Sequence, residues 1–223
     1  MEMQIDKSKP VMVTGATGYV AGWIIKRLLD EGLTVHATLR DCSNEQKRAH
    51  LDEAAADAPG TIRYFDADLL DEGAFADAME GCSIVFHTAS PFVVNVKDPQ
   101  KDLVDPALLG TRNVLDQVNK TPSVERVVLT SSVAAIYGDN ADVALTANGK
   151  FTEDEWNSTS SLDPQAYSYS KKLAEEASWR IHDQQDRWRL VGINPALVIG
   201  PGLNPRGTSE SFRLIKQLGN GTM

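Results

Sequence analysis

Cysteine is scarce: Cys42 and Cys82 are the only two in 223 residues. Two such distant thiols form no disulfide framework and point to a reducing compartment. Long apolar runs are missing as well. None approaches the ~18 residues that a membrane helix requires, and the N-terminal "MEMQIDKSKP" lacks the apolar core of a signal peptide. There is no basic cluster, and the formal net charge is −9. That balance argues against nucleic acid or an anionic membrane as partner. It leaves open a phosphorylated ligand, which needs only local positive charge. His36, His50 and His182 have no ligand-like spacing, so no metal site is expected. No internal repeat or low-complexity segment is present. These absences predict a soluble, cytoplasmic protein. Its composition, 42% hydrophobic and 24% charged, is that of a globular chain able to bury a core.

Short apolar runs at 11–13, 33–39, 62–65, 84–86, 127–129 and 190–193 read as strands. Amphipathic stretches at 18–31, 44–57, 72–80, 99–119 and 164–185 read as helices. Ile24, Ile25, Leu28 and Leu29 give the first helix an apolar stripe at helical spacing. Near-continuous apolar strands alternating with helices predict an α/β fold, a doubly wound parallel sheet covered on both faces. Residues 138–164 read as a long polar loop containing the acidic turn "TEDEW".

Small and polar residues cluster directly after the strands: "TGATG", "HTASP", "TSS" and "NPALVIGPG". In open α/β sheets ligands bind outside the carboxyl ends of the strands, so these four segments mark a site. In "VMVTGATGYVAG", Gly15 permits a tight turn and Gly18 lets a helix N-terminus approach a pyrophosphate. Ala21 takes the third small position, where helix packs on strand. In this strand–turn–helix setting the pattern predicts dinucleotide binding, with Thr17, Tyr19 and Val20 alongside. The second strand ends at Arg40, where an NAD site carries an acid. A guanidinium there suits a 2′-phosphate, and Lys47 lies within reach of the same group. NADP is therefore the expected cofactor. Asp41 is the counterargument, since it could turn to a ribose, and a solvated loop charge is the plain alternative for Arg40. Asp68 is placed to accept from an adenine amine with Leu69 packing the ring; a helix N-cap serves Asp68 equally well.

In "AYSYSK", Tyr167 and Lys171 stand four apart, on one face of a helix. Tyr169 points elsewhere and is expected to pack. A phenol titrates near ~10; a neighbouring ammonium, or the positive charge of an oxidised nicotinamide, favours the phenolate and general acid–base work. His87, closing the fourth strand, is expected to pack or to line the cleft, and Trp179 and Trp188 to pack.

The segments "TGATGYVA", Asp68–Leu69, "VFHTASP", "VVLTSS" and "YSYSK" together resemble the extended branch of the short-chain dehydrogenase/reductase superfamily. "ATLRDCSNEQK", "FTEDEW" and "YSYSKKLAEEASW" are similar to its dihydroflavonol reductase, cinnamoyl-CoA reductase and microbial aldehyde reductase group. The resemblance runs over essentially the whole chain. It implies a Rossmann fold and a catalytic set of Ser132, Tyr167 and Lys171. The tyrosine would protonate a carbonyl oxygen, the lysine would hold the nicotinamide ribose, and the serine would hold the substrate oxygen. Ser132 is preferred to Ser131 because its separation from Tyr167 is similar to the group's; Ser131 is then a cofactor or backbone contact. Thr88, Ala89 and Ser90 would line the cofactor, and Pro195 and Val198 would flank the nicotinamide.

Two positions depart from the specialised members. Tyr137 stands where flavonoid reductases carry an asparagine, and Gln165–Ala166 where cinnamoyl-CoA enzymes carry Asn-Trp. A general aldehyde or ketone is the residual expectation. Phe92, Val93 and Val94 are candidates for an apolar pocket, or equally for core, and Arg206 is the lone positive charge in the loop after the sixth strand. By resemblance the chain divides into a dinucleotide-binding domain, 1–200, and the start of an incomplete substrate lobe, 201–223. The expected protein is an NADP-dependent carbonyl reductase acting on a hydrophobic small molecule as monomer or homodimer. A nucleotide-sugar epimerase or dehydratase, and a non-catalytic dinucleotide sensor, are the alternatives.

Overall fold

The computed structural model describes residues 5–90, 96–204 and 209–222. Six strands form one sheet: β1 (Val11–Val13), β2 (Thr34–Leu39), β3 (Thr61–Asp66), β4 (Ile84–His87), β5 (Arg126–Thr130) and β6 (Arg189–Ile193). Their order is β3-β2-β1-β4-β5-β6, and every pairing is parallel. The order reverses between β1 and β4, the position where such sheets open a ligand crevice. The helices are α1 (Tyr19–Asp30), α2 (Glu45–Ala56), α3 (Ala76–Met79), α4 (Asp105–Lys120), α5 (Ala166–His182) and α6 (Glu210–Asn220).

Alternation along the strands divides the core. Val11, Val13, Val35 and Ala37 face α1 and α2, meeting Ile25, Leu29 and Leu51. Met12, Val85, Val127, Leu129 and Leu190 face the other way, onto α3, α4 and Trp188. The expectation of two covered faces holds through β1 and β4 and gives out towards β6. On the α1 side of β6, Val191 and Ile193 are 38% and 47% exposed. The α1-side cluster reaches Ile84 of β4, with Phe86 and Val128 partly packed against it, and does not include β6.

Element bounds shift for local reasons. The helix expected at 72–80 shrinks to Ala76–Met79, because Gly73 at φ 79° turns the backbone into the left-handed region before it. The 99–119 stretch begins as one wide turn, Gln100–Val104, before α4 proper, with Pro106 in the first turn of α4. The loop 138–164 is pinned by side chains. Asp142 accepts from the amides of Gly138 (3.0 Å) and Asp139 (2.9 Å). Buried Asn157 donates to Ala134 O at 2.7 Å and accepts from the amides of Thr159 and Ser160. The acidic turn closes where Glu155 accepts from the amide and the hydroxyl of Thr152.

Trp188 locks β6 to α4. It is 1% exposed and donates from Nε1 to Asn119 Oδ1 at 2.8 Å, while Trp179 and Trp188 both pack edge-on against His182. Trp188→Ala should cost about 3–5 kcal/mol, the usual range for emptying a large aromatic site, and Asn119→Ala about 1 kcal/mol. Urea titration of both variants checks this; equal losses would mean that the hydrogen bond, and not the burial, holds β6.

Candidate active site

β1 ends at Thr14, whose side chain organises the switch point. Its Oγ1 accepts from the amides of Thr88 (3.1 Å) and Ala89 (3.0 Å) and lies 2.9 Å from His87 Nδ1. A hydroxyl has two lone pairs and one hydrogen. Both lone pairs are taken by amides, so the hydrogen goes to His87 Nδ1, and neutral His87 carries its own proton on Nε2. Thr88 returns a hydroxyl bond to Thr14 O. Gly15 follows at φ 66°, and a Cβ there would stand 3.0 Å from Ala89 Cα. Only glycine gives both the conformation and the close approach. Gly18 then opens α1 with no side-chain cap, leaving the first-turn amides of α1 free for an anion.

Across the crevice, β5 leads into Ser131 and Ser132. Ser132 Oγ accepts from Ala134 N at 3.2 Å, so its hydrogen is free to be donated, and it hydrogen-bonds the Tyr167 phenol. Tyr167 stands in the first turn of α5, and Lys171, one turn on, lies 5.8 Å from the centre of the Tyr167 ring. Lys171 is 9% exposed and donates to Ser90 Oγ at 3.0 Å.

Burial governs the titrations. It pushes Lys171 down to about 8, against a smaller opposing pull from Glu175. It holds His87 near 4, with the Lys171 charge adding to the effect. It also raises Tyr167 above its ordinary value, outweighing the Ser132 hydrogen bond. This direction is opposite to the one that the spacing alone suggests: desolvation of the phenol outweighs the Ser132 hydrogen bond.

A cleft of about 630 Å³ joins these elements. Of the residues singled out in the sequence, Gly15, Thr17, Gly18, Tyr19, Val20, Thr88, Ser131, Tyr167, Lys171 and Val198 line it. Ser132 and Ser90 are bonded to its lining residues. Pro195 O accepts from Val133 N at 3.1 Å, tying the end of β6 to the serine turn. Arg40 and Lys47 are exposed, at the end of β2 and the start of α2. Asp41 is committed to Ser43, accepting from its amide (3.0 Å) and its hydroxyl (2.6 Å), which weakens the case for a ribose contact. Asp68 accepts from Leu70 N at 2.9 Å in a turn and caps no helix. Leu69 packs against Gly110 of α4 and the core behind it. Phe92, Val93, Val94 and Arg206 fall outside the described residues. A second groove of about 630 Å³, lined by Trp23, Ile24, Phe86 and Ile199, lies behind α1, and neither Tyr167 nor Lys171 is on its walls.

Several site residues were not legible. Asn194, after β6, donates to Ser132 O (3.1 Å) and to Glu175 Oε2 (2.7 Å), fixing the serine turn against α5. Leu203, Ser209, Ser211 and Phe212 close the cleft from the α6 side, with the Phe212 ring 4.7 Å from Tyr19. Gly202 was the available signal, since a Cβ there would meet the Phe212 ring at 2.8 Å. Among the described residues no group of three or more His, Cys, Asp or Glu is placed to hold a metal ion, and no helix is long and apolar enough to cross a membrane.

A glycine turn at a switch point, an uncapped helix N-terminus and a Ser-Tyr-Lys set across one crevice define a dinucleotide-dependent protein of the Rossmann type. The chain belongs to the NAD dependent epimerase/dehydratase family, whose model matches residues 11–222. It is 47% identical over 199 residues to a cinnamoyl-CoA reductase (CAD2) of Medicago truncatula, covering 87% of this chain and 59% of that protein. It is similar in structure to Gre2 of Candida albicans in complex with NADPH, at TM-score 0.75 and 34% identity over 87% of this chain. It also resembles yeast methylglyoxal/isovaleraldehyde reductase Gre2 complexed with NADPH, at TM-score 0.73 and 33% identity over 86% of this chain. The chain spans 59% of the length of each of these three proteins.

His87 carries a pH consequence. Its folded value, near 4, lies below its ordinary 6.5. Between those values the unfolded chain binds a proton that the native chain refuses, so stability falls as pH drops through about 6.5 towards 4 and is unaffected above. The whole window corresponds to ~3 kcal/mol. Urea midpoints at pH 7.5 and pH 4.5 should therefore diverge less in His87→Gln than in the parent chain. An equal divergence would assign the acid sensitivity to other groups.

Proposed function

We propose that this chain carries the cofactor-binding and proton-transfer half of an NADPH-dependent reductase of aldehydes or ketones. The observation that carries the reading is the convergence of Ser132 and Lys171 on Tyr167, at the strand ends beside the glycine turn. The cradle fits a dinucleotide: Gly15 and Gly18 line the cleft as backbone without side chains, and the α1 N-terminus supplies amides to an anion. When bound, the nicotinamide supplies or accepts the hydride. The chain's own groups handle the proton. Ser132 donates to the phenol oxygen, which leaves the phenol hydrogen available to a substrate oxygen. The raised Tyr167 value keeps that hydrogen in place at neutral pH, as reduction requires. Lys171 places a positive charge below the ring. Arg40 and Lys47, both exposed beside the end of β2, suit a 2′-phosphate. Similarity to a cinnamoyl-CoA reductase and to two NADPH complexes of Gre2 supports reduction with NADPH. Tyr19, Val20, Val198, Leu203 and Phe212 in the cleft lining favour a hydrophobic carbonyl substrate.

Two measurements test this. NADPH should bind roughly tenfold or more tightly than NADH by cofactor fluorescence, because each charge-assisted phosphate contact contributes about 1.5–3 kcal/mol. Arg40→Ala should narrow the gap by weakening NADPH; equal affinities in the parent chain would refute the cofactor assignment. A turnover panel of aryl aldehydes, aliphatic ketones, CoA thioesters and UDP-sugars, followed by NADPH loss, tests the reaction. Tyr167→Phe should lower kcat by at least about 100-fold with NADPH affinity kept. Highest kcat/KM on a UDP-sugar without net NADPH loss would favour the epimerase chemistry that the family name also covers.

A further inference from the structure

Ser90 stands at the end of the β4 turn and is itself exposed. Nothing in the turn requires a hydroxyl there: the turn is already pinned by Thr14 Oγ1 through the amides of Thr88 and Ala89. Yet Ser90 Oγ accepts from Lys171 Nζ at 3.0 Å, across 81 residues of sequence. Lys171 is among the most buried charged groups of the chain, and an ammonium has three hydrogens to satisfy. The carboxylate on its own helix, Glu175, is engaged elsewhere, by Asn194 at 2.7 Å and Trp179 at 3.4 Å. The Tyr167 ring centre lies 5.8 Å from the ammonium.

We infer that Ser90 is a positioning residue: its hydroxyl receives the Lys171 ammonium at the open end of the cleft and holds it between the end of β4 and the Tyr167 ring. This rests on the reading of Tyr167 and Lys171 given above. An exposed serine is usually a solvated loop residue. This one is the hydroxyl partner of a buried ammonium, and a buried charge left without an acceptor is costly.

Among the described residues, three titratable groups are tied to Lys171 by contact or charge. Tyr167 and Glu175 lie on α5 and His87 on β4, and His87 is neutral above about 4. The elements packed against α5 are α4, the turn at Gln100–Val104, the turn at Val133–Ala135 and β6, and the residues that they bury are uncharged. A hydrogen bond accepted from the charged form favours that form. Removing the Ser90 hydroxyl therefore shifts Lys171 towards the neutral amine.

The test is competitive labelling with acetic anhydride across pH 6–10, read by mass spectrometry at Lys171 against the exposed Lys150 as internal reference. It requires no turnover, so it succeeds or fails separately from the assignment of the reaction. The midpoint for Lys171 should fall by about one pH unit in Ser90→Ala and return to the parent value in Ser90→Thr, which keeps the hydroxyl. An unchanged midpoint in Ser90→Ala would overturn the inference, as would Ser90→Thr behaving like Ser90→Ala. Absence of label on Lys171 in the parent chain would overturn it too, since the ammonium would then not lie at the open end. If labelling behaves as expected while Tyr167→Phe leaves turnover intact, the positioning stands and the reaction assignment falls.

Discussion

The site depends on keeping β1 and β4 adjacent while their chains depart from the sheet on different courses. Adjacent parallel strands put Thr14 beside the turn that follows His87, and the divergence behind them opens the crevice. The backbones must stay in contact at its base, or the crevice would have no floor. Thr14 does this with one hydroxyl that accepts two amides and donates to one imidazole. Gly15 does it by presenting no Cβ to Ala89. The amides at the start of α1 and the Ser90 hydroxyl are both held in place by this junction. A cofactor cradle and a lysine acceptor thus share one anchor.

Charge at the site follows from burial in a consistent direction. Desolvation disfavours the charged form of every group, so it lowers Lys171 and His87 and raises Tyr167. The outcome is a neutral imidazole, a protonated phenol and an ammonium that keeps its charge less firmly than a surface lysine. A neutral His87 matters because a second positive charge beside Lys171 would repel it. The tautomer forced by Thr14 and the low value of His87 therefore act together, one through geometry and the other through solvation.

Much of this was readable from the residues because it depends on local spacing. Glycine at the first turn, tyrosine and lysine one helical turn apart, and alternating apolar runs each encode geometry within a few positions. The doubly wound parallel sheet was legible too, since right-handed crossovers leave few topologies. What was hidden depends on contacts between distant segments. Asn194 reads as an ordinary residue after a strand until β6 lies beside β5 and brings it to Ser132 O. The partnership of Ser90 with Lys171 spans two elements with no shared pattern. The sign of the Tyr167 shift was missed because spacing shows which groups are near and says nothing of how much water they lose. The turn bond of Asp68 to Leu70 and the packing of Leu69 on Gly110 of α4 were hidden for a similar reason.

The two halves of the sheet hold their shape by different means. The β3-β2-β1 half lies between packed layers, and aliphatic interdigitation fixes it. The β4-β5-β6 half carries Ser132 and the contacts of Lys171, yet its α1-side face is partly open at Val191 and Ile193. Packing from one face alone cannot set side-chain positions to the tolerance that proton transfer needs. Hydrogen bonds supply the rest. Arg187 donates to the carbonyls of Val118 (2.5 Å), Thr121 (3.0 Å) and Val124 (2.8 Å), closing the C-terminal end of α4. Trp188 adds Asn119, Asn194 adds Ser132 and Glu175, and Asn157 adds the 133–135 turn. These bonds surround the serine turn and α5 from three sides. Directional bonds between named atoms thereby fix the half of the fold where chemistry is proposed, and dispersion fixes the half where the cofactor cradle is proposed.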